Sequence, residues 1–384
     1  MPLALTEEQE MLSRSAAEFL ADRASLAQFR TWRERSHQQA FDPELWREIA
    51  GMGWPGIAID EEQGGAGLGL AGLGVVLEQL GRHLSVTPMN STVLCGVTAI
   101  QLLGGAAQQA ALLPPVIEGS RTISLAWDER PHFDPFGVAT AARSTATGWL
   151  LNGCKRGVAD VSSVDRLLVV CRLEGAAGDR EGLGVFIVPR NAPRLRIEVT
   201  PMVDGRNYGE IVLEGVELGA EALLGGAAAP AAALGRLADV INAGLAAELL
   251  GISEEAFART LRYLKDRSQF GKPIGSYQAL QHRAAHWFVE LQLARSLVQE
   301  ALLALDADPS SSLGLQGPAL ASMAKAKASQ VAELATNEAI QMHGGIGMTD
   351  AHDIGLYIKR ARVLEQAFGD QNHHLDRLAS LHGY

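Results

Sequence analysis

RSQFGKPI, at residues 267–274, and QMHGGIGMT, at residues 341–349, are short segments that each join two long stretches of helical periodicity. Each segment places free backbone N–H groups beside the start of a helix, where a pyrophosphate is best held. Arg267 offers a forked donor pair that is always charged, and the glycines let a ligand approach the main chain closely. Taken singly, each segment also fits a tight interhelical turn in which Arg267 caps carbonyl groups. The residues of one segment alone therefore leave both interpretations open.

The chain around these segments predicts a helical bundle. After Pro273, apolar and aromatic side chains recur in steps of three and four, the pattern of a helix packed in a bundle. They are Tyr277, Leu280, Ala284, Trp287, Leu291, Ala294 and Val298. A long helix over about 231–266 precedes them, and another begins after Pro318 and ends at Gly344-Gly345.

The rest of the chain predicts helices followed by strands. Thr6 with Gln9 forms a capping-box pattern, Pro43 suits a first helical turn, and a further helix is expected after Gly72. Short apolar runs bounded by turn residues indicate strands at 122–127, 149–151, 167–171, 185–188 and 211–213. We therefore expect an N-terminal α-helical domain over 1–119, a middle β domain (a small barrel or sandwich) over 120–225, and a C-terminal α-helical domain over 226–384.

Composition excludes several classes of protein. The 384 residues are 47% hydrophobic and 20% charged, with a net charge of −11, which argues against disorder and against nucleic-acid binding. The three cysteines lack ligand spacing, and His343, His373 and His374 suggest turn or surface residues, so no metal site is predicted. The longest uncharged run, residues 83–117, contains prolines and amides unsuited to a bilayer, and the charged N-terminal residues do not resemble a signal peptide. We expect a cytoplasmic protein.

Residues 67–72, GLGLAG, formally match the dinucleotide fingerprint GxGxxG. A fold that uses this fingerprint needs an acidic residue about 20 positions later to hold the ribose. No Asp or Glu occurs between Glu78 and Glu118. The glycines therefore indicate a loop before a helix.

The two opening segments together resemble the acyl-CoA dehydrogenase family, through RxQFGxPI and QxHGGxGxT. So do LW at 45–46, GWPG at 53–56, EQGGAG at 62–67, EQLG at 78–81 and YIKRA at 357–361. The likeness runs in order along essentially the whole chain. It implies the family fold: an N-terminal all-α domain, a middle β-barrel domain and a C-terminal four-helix bundle.

The resemblance also implies a cofactor, a reaction and partners. The family binds FAD at subunit interfaces of a tetramer, removes an α-proton from an acyl-CoA thioester with a glutamate, and transfers a hydride to the flavin. An electron-transfer flavoprotein or a similar acceptor then takes the electrons. The residues that match the family's pyrophosphate and adenosine site are Arg267, Gln269, Phe270, Gln278, Gln341, Met342, His343, Gly344 and Gly345.

The chain departs from the family at the catalytic glutamate. One subgroup carries it before the glycine that follows the Tyr-x-x-Arg-Ala helix, where this chain has Phe368. Another carries it near the start of the long C-terminal helix, where this chain has Ile241. Neither side chain accepts a proton, so the base is unassigned. Asp370 and Glu248 are the candidates for a relocated base, although Glu248 also fits a buried structural role.

The chain also departs from the family in the β domain. The family's flavin-ring segment, commonly an acidic-Pro-Gly-Ala-Gly-Ser-Asp run, is DERPHFD here, at residues 128–134. The usual Trp-Ile-Thr is replaced by GVA at 157–159, so the aromatic wall and hydroxyl donors of this chain's own ring pocket are missing.

Three hypotheses follow. The first is a heterotetramer, similar to family members that handle bulky steroid-type thioesters, in which this chain binds the adenosine-pyrophosphate end of FAD and an unlike subunit supplies the base. The second is a homotetramer that uses a relocated base. The third is a catalytically silent subunit that stabilises a partner.

Overall fold

The computed structural model describes residues 5–36 and 38–384 and divides the chain into two compact units. The first unit contains the chain up to Arg30 together with Leu70–Ser85 and Asn242–Tyr384. The second unit contains Thr31–Gly69 and Val86–Ile241. The division into three domains at 119/120 and 225/226 stays a prediction.

The N-terminal part of the chain is helical, as predicted. Its helices are α1 (Glu7–Arg23), α2 (Leu26–Arg33), α3 (Pro43–Gly51), α4 (Gly69–His83), a π-helix (Met89–Val97) that continues as α5 (Thr98–Leu103), and α6 (Ala106–Ile117). The capping box at α1 is confirmed, because the Thr6 hydroxyl accepts from the Gln9 N–H at 3.2 Å and the Gln9 side chain accepts from the Thr6 N–H at 3.1 Å. Pro43 opens α3 behind the capping side chain of Asp42.

The middle of the chain forms a mixed sheet. Its strands are β1 (Ile123–Ala126), β2 (Ala141–Thr145), β3 (Gly148–Ala159), β4 (Arg166–Arg172), β5 (Leu183–Pro189), β6 (Leu195–Pro201) and β7 (Asn207–Gly219). The strand order is β1-β4-β2-β3-β7-β6, and β5 pairs with β4. β1 runs parallel to β4, whereas the β3–β7, β4–β5 and β6–β7 pairs are antiparallel. Val158, Leu167, Phe186 and Ile211 are among the fully buried residues of its core.

All five predicted strands exist in this sheet, but its strands β2 and β6 were not predicted, and β3 and β7 are much longer than predicted. β3 and β7 extend well beyond 149–151 and 211–213. Most outer residues of β3 are partly or fully exposed, and β7 largely alternates buried with more exposed positions, so the added residues form no apolar run. β2 and β6 carry few buried side chains, so a search for apolar runs does not find them.

The C-terminal part of the chain returns to helices. The elements are α7 (Ala231–Asp266), a two-residue hairpin of β8 (Ser268–Gln269) and β9 (Lys272–Pro273), α8 (Gln278–Asp306), α9 (Gly317–His343), α10 (Ile354–Gln366) and α11 (Gln371–Leu381). The predicted seam of α8 is buried from Trp287 to Val298, whereas its members before Trp287 are partly exposed. Alanines dominate the buried face of α9, so its neighbours pack closely against it.

Two glycines let α4 and α7 cross with their backbones in contact. A Cβ atom at Gly251 would lie 1.9 Å from the carbonyl oxygen of Glu78, and one at Gly81 would lie 2.2 Å from that of Glu248. Only glycine fits at either position, and the crossing fixes where Glu248 lies. In the part of the chain that the structure describes, no helix has the length and hydropathy needed to cross a membrane.

Candidate functional site

The structure brings the two glycine-containing segments together at one end of the helical bundle. We call residues 267–278 the first loop and residues 341–349 the second loop. The ring of Tyr263, in the last turn of α7, stacks on the ring of His343 with centroids 4.3 Å apart. The Tyr263 hydroxyl also donates to the His343 carbonyl oxygen at 3.3 Å. Because Arg267 follows Tyr263 by one turn and Gly344 follows His343 directly, the two loops are neighbours.

The first loop presents an aromatic ring and a guanidinium to solvent. The β8–β9 hairpin turns through Phe270 and Gly271, both with positive φ (53° and 79°). Such a backbone conformation is costly for a bulky residue such as phenylalanine. The Phe270 side chain is 90% exposed, and the side chains of Arg267, Gln269 and Gln278 are exposed beside it. A fully exposed ring on a strained turn indicates a surface built to be covered by a ligand or another chain.

The second loop leaves open space beside its main chain. Gly344 has φ 64° and, like Gly345, is exposed, and a Cβ atom at either would meet nothing within 4 Å in the described part of the chain. Gln341 is exposed as well. Accessible glycine backbone beside the cationic Arg267 fits an anionic pyrophosphate, and the exposed Phe270 ring fits the flat part of a dinucleotide.

Met342 and His343 lie differently from the other residues predicted to contact the cofactor, because their side chains are buried. The Nδ1 atom of His343 donates to the Ala339 carbonyl at 2.7 Å, and burial lowers the pKa of the ring. Only their backbones can therefore face a ligand. The interpretation of His343 and His374 as turn or surface residues is wrong, since His374 is also buried, 3.5 Å from the Ser322 hydroxyl.

Neither position that the family uses for its glutamate carries a proton acceptor. Ile241 is fully buried in the core, and Phe368 lies half-buried on the turn between α10 and α11 with φ 53°.

The two predicted substitutes are both engaged in structural contacts. Glu248 accepts two hydrogen bonds from the Arg360 guanidinium, at 2.8 and 3.1 Å, and both side chains are buried. Such a pair is costly to break, which confirms the buried structural interpretation of Glu248 and disfavours it as a base. Asp370 is the N-cap of α11 and accepts from the His373 N–H at 2.8 Å.

A lysine that no sequence motif singled out holds the turn around Phe368. Lys325 of α9 is fully buried, and its ammonium donates to the carbonyl oxygens of Glu365 (3.2 Å), Ala367 (2.9 Å) and Gly369 (2.9 Å). Burial lowers the pKa of this ammonium to about 7. The helical spacing of α9 indicates that Lys325 is buried, because it lies between Ala321 and Ala328 on the apolar face.

An ion pair joins the segment at 128–134 to a buried lysine of β3. Lys155 is fully buried, and its ammonium donates to Glu129 at 2.7 Å and to the Trp127 carbonyl at 2.9 Å. Glu129 also accepts the N–H groups of Ala139 and Thr140 (2.8 and 2.9 Å). Burial opposes ionisation of Glu129, but the Lys155 charge and these hydrogen bonds hold its pKa below the usual range.

The neighbouring part of this segment offers little to a planar ring. Gly157 lies in a β-bulge with φ 62°, and the Val158 side chain is part of the core. Residues 157–159 thus contribute neither an aromatic ring nor a hydroxyl. Asp128 is the unusual group here, because burial raises its pKa to about 6. Within the described residues, no group of His, Cys, Asp or Glu is placed to hold a metal ion.

Comparisons with known proteins identify the family of the chain. The chain matches the family models "Acyl-CoA dehydrogenase, N-terminal domain" over residues 6–120 and "Acyl-CoA dehydrogenase, C-terminal domain" over residues 238–381. It is 31% identical to the acyl-CoA dehydrogenase IpdE2 of Mycolicibacterium smegmatis, over 97% of this chain and 98% of that protein.

Solved structures of acyl-CoA dehydrogenases are also similar to this chain. A variant of the Tcur3481-Tcur3483 steroid ACAD is 31% identical with a TM-score of 0.86, over 98% of this chain and 97% of that chain. Butyryl-CoA dehydrogenase from Megasphaera elsdenii is 25% identical with a TM-score of 0.89, over 99% of both chains. The predicted fold class, with helical ends and a curled middle sheet, is confirmed.

Proposed function

The chain belongs to the acyl-CoA dehydrogenase family of FAD-dependent oxidoreductases that act on CH–CH bonds, and from that membership we propose that it is one subunit of a heterotetramer that desaturates an acyl-CoA thioester. An unlike, homologous subunit supplies the catalytic glutamate. In this proposal the chain comprises three domains, over 1–119, 120–225 and 226–384.

The observation that carries the proposal is the contrast between the two halves of a cofactor site. The first and second loops adjoin each other and expose Arg267, Phe270 and the Gly344 backbone. The segments at 128–134 and 157–159 lack the family's ring-binding side chains. A chain that keeps the first half and loses the second is suited to hold the phosphate end of a cofactor whose ring lies in another subunit.

The residues of this chain act in binding and orientation. Arg267 binds the pyrophosphate with its forked donors, the N–H groups at Gly344 and Gly345 add neutral donors, and Phe270 covers the adenosine end. FAD, when bound, supplies the hydride acceptor for the reaction. The α-proton needs a carboxylate within hydrogen-bond reach, which Phe368 and Ile241 do not provide. The partner subunit therefore carries the base.

The similarity to a steroid ACAD whose name joins two proteins supports both the unlike partner and a bulky, steroid-type acyl group. We further propose an electron-transfer flavoprotein or a similar protein as the electron acceptor.

The test is to purify the chain alone and with a co-expressed homologous subunit. We expect flavin absorbance and acyl-CoA oxidation only from the co-expressed complex. Arg267→Ala should weaken flavin binding by the complex about ten- to a hundredfold, the effect of losing a charged hydrogen bond. Arg47→Ala removes another exposed guanidinium, from α3, and should leave the flavin content unchanged.

Each of the other hypotheses has its own result. Full flavin occupancy and turnover by the lone chain would establish the homotetramer with a relocated base and overturn the proposal. Unchanged flavin content in the Arg267→Ala complex would establish the silent subunit.

A further inference from the structure

The second loop ends in a contact with an arginine that lies far away in the sequence. Arg30 of α2 belongs to the same compact unit as the loop and precedes Asp350 by 320 residues. Its Nη1 atom donates to the Asp350 carbonyl oxygen at 2.7 Å, and its Nε and Nη2 atoms donate to the Asp353 carboxylate at 3.0 and 2.9 Å. Asp350 follows the second loop directly, and Asp353 is the N-cap of α10. One guanidinium therefore holds both main chain and side chain at the downstream end of the loop.

The Asp353 carboxylate does not act as an ordinary helix cap. An aspartate at an N-cap normally accepts a hydrogen bond from an N–H group in the first turn of its helix. Among the described residues, the Asp353 side chain accepts no such bond from α10. It pairs instead with Arg30 and with Arg259 of α7, whose Nη1 atom lies at 3.4 Å. Because charge-assisted hydrogen bonds are stronger than neutral ones, the carboxylate is directed toward Arg30 rather than toward the helix end.

The turn inside the second loop is too short to fix its own orientation. Residues Gly344–Met348 form a 3₁₀ helix, which closes where the Thr349 N–H and hydroxyl donate to the Ile346 carbonyl oxygen at 3.1 and 2.8 Å. A 3₁₀ helix has poor hydrogen-bond geometry and is stable only in short pieces, so its position depends on the groups that hold its two ends. The stacked ring of His343 holds the upstream end, and Arg30 holds the downstream end.

We propose that Arg30 is a positioning residue for cofactor binding, a role that rests on the function proposed above. By fixing the end of the second loop, it keeps the N–H groups at Gly344 and Gly345 in place before the pyrophosphate binds. A loop that is already ordered loses less conformational freedom on binding, so the affinity for the cofactor is higher. The Nε, Nη1 and Nη2 atoms are all directed at Asp350 and Asp353, so Arg30 acts through the loop and not on the phosphate. A lysine is a poor substitute, because an ammonium is a compact point charge without the forked donors of a guanidinium.

The experiment compares wild type, Arg30→Gln and Arg30→Lys in the co-expressed complex after its flavin has been removed. Hydrogen–deuterium exchange of the peptide 341–352 reports how ordered the second loop is without flavin, and titration with FAD gives the dissociation constant. Arg30→Gln should speed exchange at 344–349 and raise the dissociation constant about three- to tenfold, with kcat at saturating FAD unchanged. Arg30→Lys keeps the charge and should recover little of the lost affinity. Arg14→Gln, which removes an exposed guanidinium from α1, should alter neither exchange nor affinity.

Comparison with Arg267→Ala separates the role of Arg30 from the proposed function. If Arg267→Ala weakens FAD binding while Arg30→Gln leaves either exchange or the dissociation constant unchanged, Arg30 has no positioning role and the proposed function stands. If both variants leave FAD binding unchanged, the proposed function fails, and the role of Arg30 fails with it. Full recovery by Arg30→Lys would mean that charge alone acts, which would also overturn the proposal. If Arg30→Gln does not fold, Asp353→Asn removes the charge that Arg30 holds, keeps a residue suited to an N-cap, and should give the same changes.

Discussion

Replacing Lys325 by methionine should destabilise the helical bundle more than any exposed substitution. The fully buried ammonium donates to three carbonyl oxygens at 2.9–3.2 Å. Methionine has a similar length and fills the space, but it leaves those oxygens without a donor. Each unsatisfied group costs about 1–3 kcal/mol, and partial relaxation of the turn limits the total to roughly 3–5 kcal/mol.

The assay is urea unfolding of wild type, Lys325→Met and Lys327→Met. Lys327 lies two residues further along α9, is partly exposed and pairs with Glu290. The same substitution there should lower the free energy of unfolding by no more than about 1 kcal/mol. Equal losses in the two variants would refute the reasoning from the carbonyl contacts.

The dependence on pH provides a second, independent check. Burial lowers the pKa of the Lys325 ammonium to about 7, whereas in an unfolded chain it is about 10.4. Between these values the unfolded chain binds more protons, so this group makes the free energy of unfolding rise with pH, by up to about 1.4 kcal/mol per unit. The stability difference between wild type and Lys325→Met should therefore widen from about pH 7 to pH 9. A difference that narrows over this range would contradict the direction of the shift.

Three substitutions test the first loop, the α4–α7 crossing and the buried Glu248–Arg360 pair. Phe270→Ala should change the free energy of unfolding by less than about 0.5 kcal/mol, since the ring is 90% exposed. The same variant should lower the amount of flavin that the complex retains after gel filtration. Unchanged retention would argue against a role for the ring in flavin binding. Gly251→Ala should lower the stability of the protein by about 1–3 kcal/mol or more in thermal unfolding, because the added methyl group would overlap a backbone carbonyl of α4. The control is Gly235→Ala on the same helix, where the added methyl group would meet open space; this change should be neutral or stabilising. Glu248→Ala should cost about 3–5 kcal/mol by removing the carboxylate that accepts two hydrogen bonds from the buried Arg360 guanidinium. A loss below about 1 kcal/mol in urea unfolding would contradict that pairing.

Periodicity made the helices of the bundle predictable from sequence. The spacing of the apolar residues from Trp287 to Val298 indicates which side of α8 is buried against its neighbours. The predicted helix at about 231–266 matches α7. β6 was not predictable in the same way, because its residues Leu195–Pro201 carry charges and stay largely exposed. The largely exposed strand β6 forms by pairing with β7, and the local sequence of β6 does not indicate that pairing.

In the candidate site, features set by neighbouring residues could be predicted from sequence, whereas contacts between residues far apart in the chain could not. Arg267 and Gly344 lie on short segments with their own turn chemistry, so their proximity to helix ends could be inferred. The inward orientation of His343 depends on the stacked Tyr263 ring, some 80 residues earlier. The partner of Glu248 is Arg360, 112 residues away, and no local pattern links the two.

The contact between α4 and α7 has a consequence for how this chain could evolve. A proton-abstracting carboxylate needs an empty volume in front of it for an incoming thioester. At position 248 the Arg360 guanidinium already lies against the carboxylate, at 2.8 and 3.1 Å, and the main chain of α4 packs against the backbone of this residue. No side-chain mutation removes the main chain of α4, because backbone atoms are common to every amino acid. In the proposed heterotetramer, a carboxylate introduced at position 368 is therefore a simpler route to a base within this chain than any redesign around Glu248.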